Sequence, residues 1–179
     1  METTFTDPLS DSCESSDLTM LTTDPGTYAL VVWLSETATI SVGKLGAHHF
    51  YPGYYVYLGS ALGPGGLYAR INRHLRWNTS SKLHWHIDYL LRSSAVSEVW
   101  WAPGDARLEC SWSETLLKGG EVFPRGFGSS DCSCIGHLVA FRSASSLVEG
   151  RNRLRQEVGS VFRYARISQA PSYPGHLEE

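Results

Sequence analysis

Arg70 and His74 stand four residues apart in the segment LYARINRHLRW, residues 67–77, so in a helix they project from one face. Such a pair suits a phosphate. Arg presents paired N–H donors to its oxygens, and His adds a second donor or carries a proton. Taken alone, the pair is equally well read as a solvated basic helix face shared with Arg73 and Arg76. Its neighbours tip the reading toward chemistry. Upstream lies GYYVYLG, residues 53–59, where strand alternation puts Tyr55 and Tyr57 on one face and Tyr54, Val56 and Leu58 on the other. Tyr28 shares its parity with Leu30, Val32 and Leu34, which predicts a core ring with only its hydroxyl exposed.

A phosphodiesterase also needs a carboxylate for a divalent ion, and Glu109 and Glu114 compete for that place. On a helical wheel Leu108, Trp112 and Leu116 form the buried stripe. Glu109 falls roughly 100° from Leu108, at the edge of that stripe, and Glu114 falls on the far side. A residue serving a site on the sheet must leave from the packed edge, which selects Glu109. Its alternative role is a helix N-terminal carboxylate, worth under about 1 kcal/mol.

Gly26-Thr27-Tyr28 and Tyr57-Leu58-Gly59, followed by Arg70, His74 and Glu109, resemble the GIY-YIG nuclease superfamily, and most closely its compact Uri-like branch. The resemblance runs from about Gly26 to Phe141 and includes YVYLGSA, LYARINRH, HWHIDYLL, Glu109-Cys110 and GFGSSDCSC. It implies a metal-dependent DNA endonuclease, in which Tyr57 orients or deprotonates the attacking water with Tyr28 in support. Arg70 and His74 would engage the phosphate, and Glu109 would hold Mg²⁺ or Mn²⁺. An ordinary tyrosine pKa near 10 makes hydrogen-bond positioning the more economical role for Tyr57. Where many members carry an Asn after the metal Glu, this chain has none between Asn78 and Asn152; Asp131 is the substitute, or else a turn residue. Arg73, Arg76, Lys82, His84 and His86 are the expected nucleic-acid contacts. The competing function is a binding or interaction module of the same fold without catalysis, for which Arg73, Arg76, Lys82, Trp77 and Trp85 would supply phosphate contacts and stacking surfaces.

Cys110, Cys132, Cys134 and His137 are the ligand types of a structural Zn²⁺. The C-x-C-x-x-H spacing matches none of the common paired-Cys patterns, so packed thiols are the simpler expectation. In HWHID, residues 84–88, His84 and Asp88 share a helical face, better suited to nucleic-acid contact or a hydrogen-bonded core role than to a second metal.

The elements that must position these groups follow from periodicity. Strands are predicted over residues 27–34, 39–42 (pairing back onto the first), 53–59, 97–102 and 135–141, and helices over 67–77, 85–91, 108–118 and 146–158. The order fits an α+β domain with a small, mostly antiparallel sheet flanked by helices. Residues 1–25 read as a flexible acidic leader, with six acidic residues and no Lys or Arg; 26–142 as the nuclease-like domain; 143–166 as an Arg-rich helix; and 167–179 as a flexible tail. The net charge of -3 is thus a property of the leader, and an anionic partner is not excluded. Six Trp, nine Tyr and six Phe furnish a core without disulfides. With no 20-residue apolar run or secretory signal, a cytoplasmic setting away from membranes is expected, with the four cysteines as thiols or metal ligands.

Overall fold

A computed structural model describes residues 17–76 and 82–167. Along them run β1 (Gly26–Leu34), β2 (Ala38–Ser41), β3 (Ala47–Phe50), β4 (Gly53–Ser60), α1 (Gly66–Leu75), α2 (His86–Leu90), β5 (Ala95–Pro103), α3 (Glu109–Leu116), β6 (Glu121–Val122), β7 (Leu138–Phe141), α4 (Ala144–Val158) and β8 (Arg163–Arg166). Six strands make one sheet in the order β6-β7-β4-β1-β5-β8, each neighbouring pair antiparallel. Helices flank it, which is the expected α+β class. No helix among the described residues is long and apolar enough to cross a membrane.

The sheet is covered on both faces. Tyr28, Leu30, Val32, Leu34, Tyr55 and Tyr57 point to one side, where they pack with Ile71 of α1 and Ile87 and Leu90 of α2. Ala29, Val31, Val56, Leu58 and Trp100 point to the other, against Trp112 and Leu116 of α3 and Leu147 and Leu154 of α4. Double coverage explains why β1 and β4 read as nearly continuous apolar runs rather than alternating ones. Parity therefore assigns a layer to each side chain, not core or solvent.

On the α4 side, a buried ion cluster ties helix to sheet. Arg151, 2% exposed, donates from Nη1 to both oxygens of Glu98 at 2.9 Å. Trp100 Nε1 donates to Glu98 Oε2 at 2.7 Å, and Arg151 also lies over the Tyr164 ring. Glu157 of α4 accepts from the hydroxyls of Ser111 and Thr115 on α3, which locks the two helices together.

Four expectations change. The second strand pairs with β3 in a separate hairpin, not with β1, because β1 has β4 and β5 on its two sides. The region 143–166, expected as one Arg-rich helix, is a helix followed by an edge strand, β8, paired with β5, and Arg151 of that helix is buried. The strand expected from Ile135 begins at Leu138. Residues 17–25, the end of the acidic leader, are packed: Leu21 is buried, and the carbonyls of Thr22 and Asp24 accept the first N–H groups of α1, from Tyr68 and Leu67. Gly66, at φ +53°, makes room for this, since a Cβ there would stand 2.1 Å from the Thr23 carbonyl oxygen. Residues 1–16, Trp77 and the tail from 168 onward lie outside the described residues.

Removing Arg151 leaves Glu98 buried with only Trp100 and the more distant Arg166, 3.7 Å away, for partners. Arg151→Ala is expected to cost roughly 3–5 kcal/mol in urea unfolding, the penalty of an uncompensated buried charge. Arg142→Ala, which breaks an exposed pair with Glu121, should cost no more than about 1 kcal/mol. Equal losses for the two variants would contradict this account.

Candidate active site

The β1–β4 register places Tyr28 opposite Gly59 and Leu30 opposite Tyr57, so both tyrosines lie on the α1 side of the sheet. The ring of Tyr28 crosses the backbone at Gly59, where a Cβ would meet its hydroxyl at 2.6 Å. The glycine of the Tyr57-Leu58-Gly59 tripeptide is thus required by the tyrosine of the other strand. α1 then brings Arg70 alongside, with its guanidinium 4.9 Å from the centre of the Trp85 ring.

At the end of these strands is a cavity of about 160 Å³ lined by Tyr28, Tyr57, Gly59, Ser60, Arg70, Trp85, Arg107, Glu109, Gly128, Asp131 and His137, with Leu58 completing its wall. Of the five expected catalytic residues, four meet there: Tyr28, Tyr57, Arg70 and Glu109. Glu109 opens α3 and is 8% exposed, and its Oε2 is buried without a hydrogen-bond partner. Glu114 faces solvent on the opposite side of the helix. The helical-wheel choice between the two matches their placement.

His74 does not reach the cavity. It is 3% exposed and sits behind Tyr28, with Nε2 2.9 Å from the Tyr28 hydroxyl. Its Nδ1 stands 3.4 Å from Arg73 Nη1 and 3.9 Å from Asp88 Oδ1. Arg73 has only protons to offer, which favours the tautomer with the ring proton on Nε2, facing the tyrosine oxygen. The Tyr28 proton is left free to point into the cavity. Burial, with help from the nearby positive charge of Arg73, lowers the His74 pKa to about 4, so the ring is neutral. His74 is therefore placed to hold Tyr28 from behind and does not face the cavity.

The basic residues expected to touch nucleic acid divide. Arg73 is committed to Asp88 through two hydrogen bonds, at 3.2 and 2.9 Å. Asp88 is fully buried and also accepts the backbone N–H groups of His84 and Trp85; burial opposes its charge, but these donors hold its pKa below the usual carboxylate value. His86 Nδ1 accepts from the Gly128 N–H and so shapes the loop at the cavity wall. Neither Arg73 nor His86 is a free contact. Arg76, Lys82 and His84 are exposed. Arg107 was not singled out by the sequence: it lines the cavity and pairs with Asp131 at 3.2 Å. Its position two residues before Glu109 was the available clue.

Burial pushes the phenols of Tyr28 and Tyr57 well above their usual pKa, more than Arg70 pulls them down. They act as neutral hydrogen-bonding groups. Where the loop from 127 to 137 meets α3, Cys110 and Cys134 form a disulfide, whereas thiols or metal ligands were expected. The loop runs beside the start of α3 and brings the two Cα atoms to 6.1 Å, within the reach of such a bridge.

His74 also sets a pH dependence of folding. Its folded pKa of about 4 lies below the 6.5 of an ordinary imidazole, so the unfolded chain binds this proton more readily. The stabilisation is complete above about pH 6.5 and is lost as pH falls toward 4, by on the order of 3 kcal/mol in total. Urea unfolding of wild type and His74→Gln at pH 7.5 and pH 5 checks this: the gap in acid sensitivity between the two should have that sign, and parallel losses would contradict it.

The chain matches no curated protein and no solved structure. Residues 27–160 match the family model described as a domain of unknown function, DUF123, and the chain belongs to that family.

Proposed function

We propose that the protein is a metal-dependent endonuclease that hydrolyses phosphodiester bonds in DNA, with preference for a nucleic-acid structure over a base sequence. The observation that carries this reading is the Glu109 carboxylate: a buried oxygen without a partner, on the wall of a cavity that Arg70 and two tyrosines also line. A buried acceptor left alone costs roughly 1–3 kcal/mol, more when charged, so a ligand for it is the economical explanation. The donor is a hard oxygen and the cavity is polar, which fits Mg²⁺ or Mn²⁺ with water as the remaining ligands. Such an ion, when bound, supplies Lewis-acid polarisation of a phosphate oxygen.

The remaining chemistry belongs to the side chains. Arg70 offers a planar fork to the scissile phosphate and is held by its stacking on Trp85. Its donors act most strongly as negative charge grows on the phosphoryl oxygens. Tyr57, protonated and buried to its hydroxyl end, orients the attacking water by hydrogen bonding rather than by taking its proton. Tyr28, fixed from behind by His74, presents its own proton to the same space. Arg107, on the cavity wall and paired with Asp131, is the cation that would meet the flanking backbone.

Labelled single-stranded, duplex and branched DNA, incubated with and without Mg²⁺ or Mn²⁺, tests the activity. Glu109→Gln should retain the fold and nearly abolish cleavage, whereas Glu114→Gln should keep most of it. Arg70→Lys should lower the single-turnover rate on the order of 10²–10³-fold with little change in DNA binding. Binding without cleavage by wild type, with Arg70→Lys merely weakening that binding, would replace this reading with the binding-module one.

A further inference from the structure

We infer that Cys110, Cys132, Cys134 and His137 form a binding site for one Zn²⁺ when the Cys110–Cys134 bridge is reduced. The site has donors of different chemistry from Glu109 and stands independently of the nuclease reading. One donor atom from each of the four residues lies within 4.8 Å of the others. His137 Nε2 is 3.6 Å from Cys110 Sγ and 3.5 Å from Cys132 Sγ. A tetrahedral Zn²⁺ with Zn–S near 2.3 Å and Zn–N near 2.05 Å has N···S edges of roughly 3.6 Å and S···S edges of roughly 3.8 Å. The imidazole thus already stands at the ligand spacing from two sulfurs.

A disulfide alone does not account for the arrangement. It needs two sulfurs, and nothing about it calls for a third thiol and a buried imidazole nitrogen at the same point. His137 is 4% exposed, and its Nε2 stands at the two sulfurs. The donors come from two segments, the first turn of α3 and the loop before β7, so an ion there joins what the bridge joins in the oxidised chain. Three thiolates and an imidazole favour Zn²⁺ over Mg²⁺, the reverse of an oxygen site.

The conversion balances with a dithiol as reductant. The dithiol delivers two electrons and two protons to the Cys110–Cys134 bond and closes to its own disulfide. The S–S bond breaks and two thiols form. Zn²⁺ then displaces one proton from each of the three cysteines, which go to buffer, and takes the lone pair of His137 Nε2.

The test uses the full chain, reduced by a dithiol under anaerobic conditions, stripped with a chelator and titrated with Zn²⁺ and, separately, Co²⁺. Uptake of one Zn²⁺ per chain is expected, as are the intense visible bands and thiolate charge-transfer absorption of tetrahedral Co²⁺. The oxidised chain should take up none. Cys132→Ser leaves the bridge-forming pair intact, so oxidised wild type and variant should melt alike, while the reduced variant should lose affinity on the order of a hundredfold or more. Absence of stoichiometric uptake by reduced wild type, or equal affinity in Cys132→Ser, overturns the inference.

Discussion

In the β1–β4 ladder, Tyr28 faces Gly59 across an antiparallel pair, and its ring lies where a side chain at position 59 would be. That single steric accommodation sets the rest of the site. With Tyr28 folded over Gly59, its hydroxyl meets His74, and His74 in turn fixes which face of α1 turns inward. Arg70, one turn earlier on the same helix, is then carried to the cavity. The buried packing of both sheet faces makes the register rigid, since a one-residue slip would exchange the two layers of side chains.

Two buried glutamates show how differently the chain treats its carboxylates. Glu98 is saturated by Arg151 and Trp100, with Arg166 nearby, and serves cohesion. Glu109 keeps an oxygen in reserve at the cavity. A third acid, Asp88, is neither an anchor for α4 nor a cavity group. It gathers Arg73 and two backbone N–H groups, and it holds Arg73 against Nδ1 of His74.

The central strands, all four helices to within two residues at each end, and the turning of Glu109 rather than Glu114 toward the packed side were legible in periodicity and composition; the pairing of β2 with β3 and both edge strands were not. β3 carries His48 and His49 between Ala47 and Phe50, and β6 and β8 are too short and too polar to print a period of two. Their strand identity comes from neighbours that supply the hydrogen bonds. Helical spacing correctly put Arg70 and His74 on one side of α1. It failed on depth, because His74 lies one turn further toward the packed interior and is consumed by Tyr28. The role of Arg73 was hidden because its partner, Asp88, is fifteen residues away and meets it only in the fold. The four residues Cys110, Cys132, Cys134 and His137 were grouped by their types, but the bridge between Cys110 and Cys134 was hidden for the same reason.

The outer rungs of the main sheet have a bearing on how the molecule meets its own kind. β6 contributes two residues and β8 four, and the latter begins and ends with arginine. An incoming strand would find few free backbone groups on either side and, at one of them, positive charge. Sheets that stop in short, charged strands resist the edge-to-edge pairing from which aggregates grow. A chain so rich in buried aromatic strands is thus guarded at the two borders where its ladder could be extended.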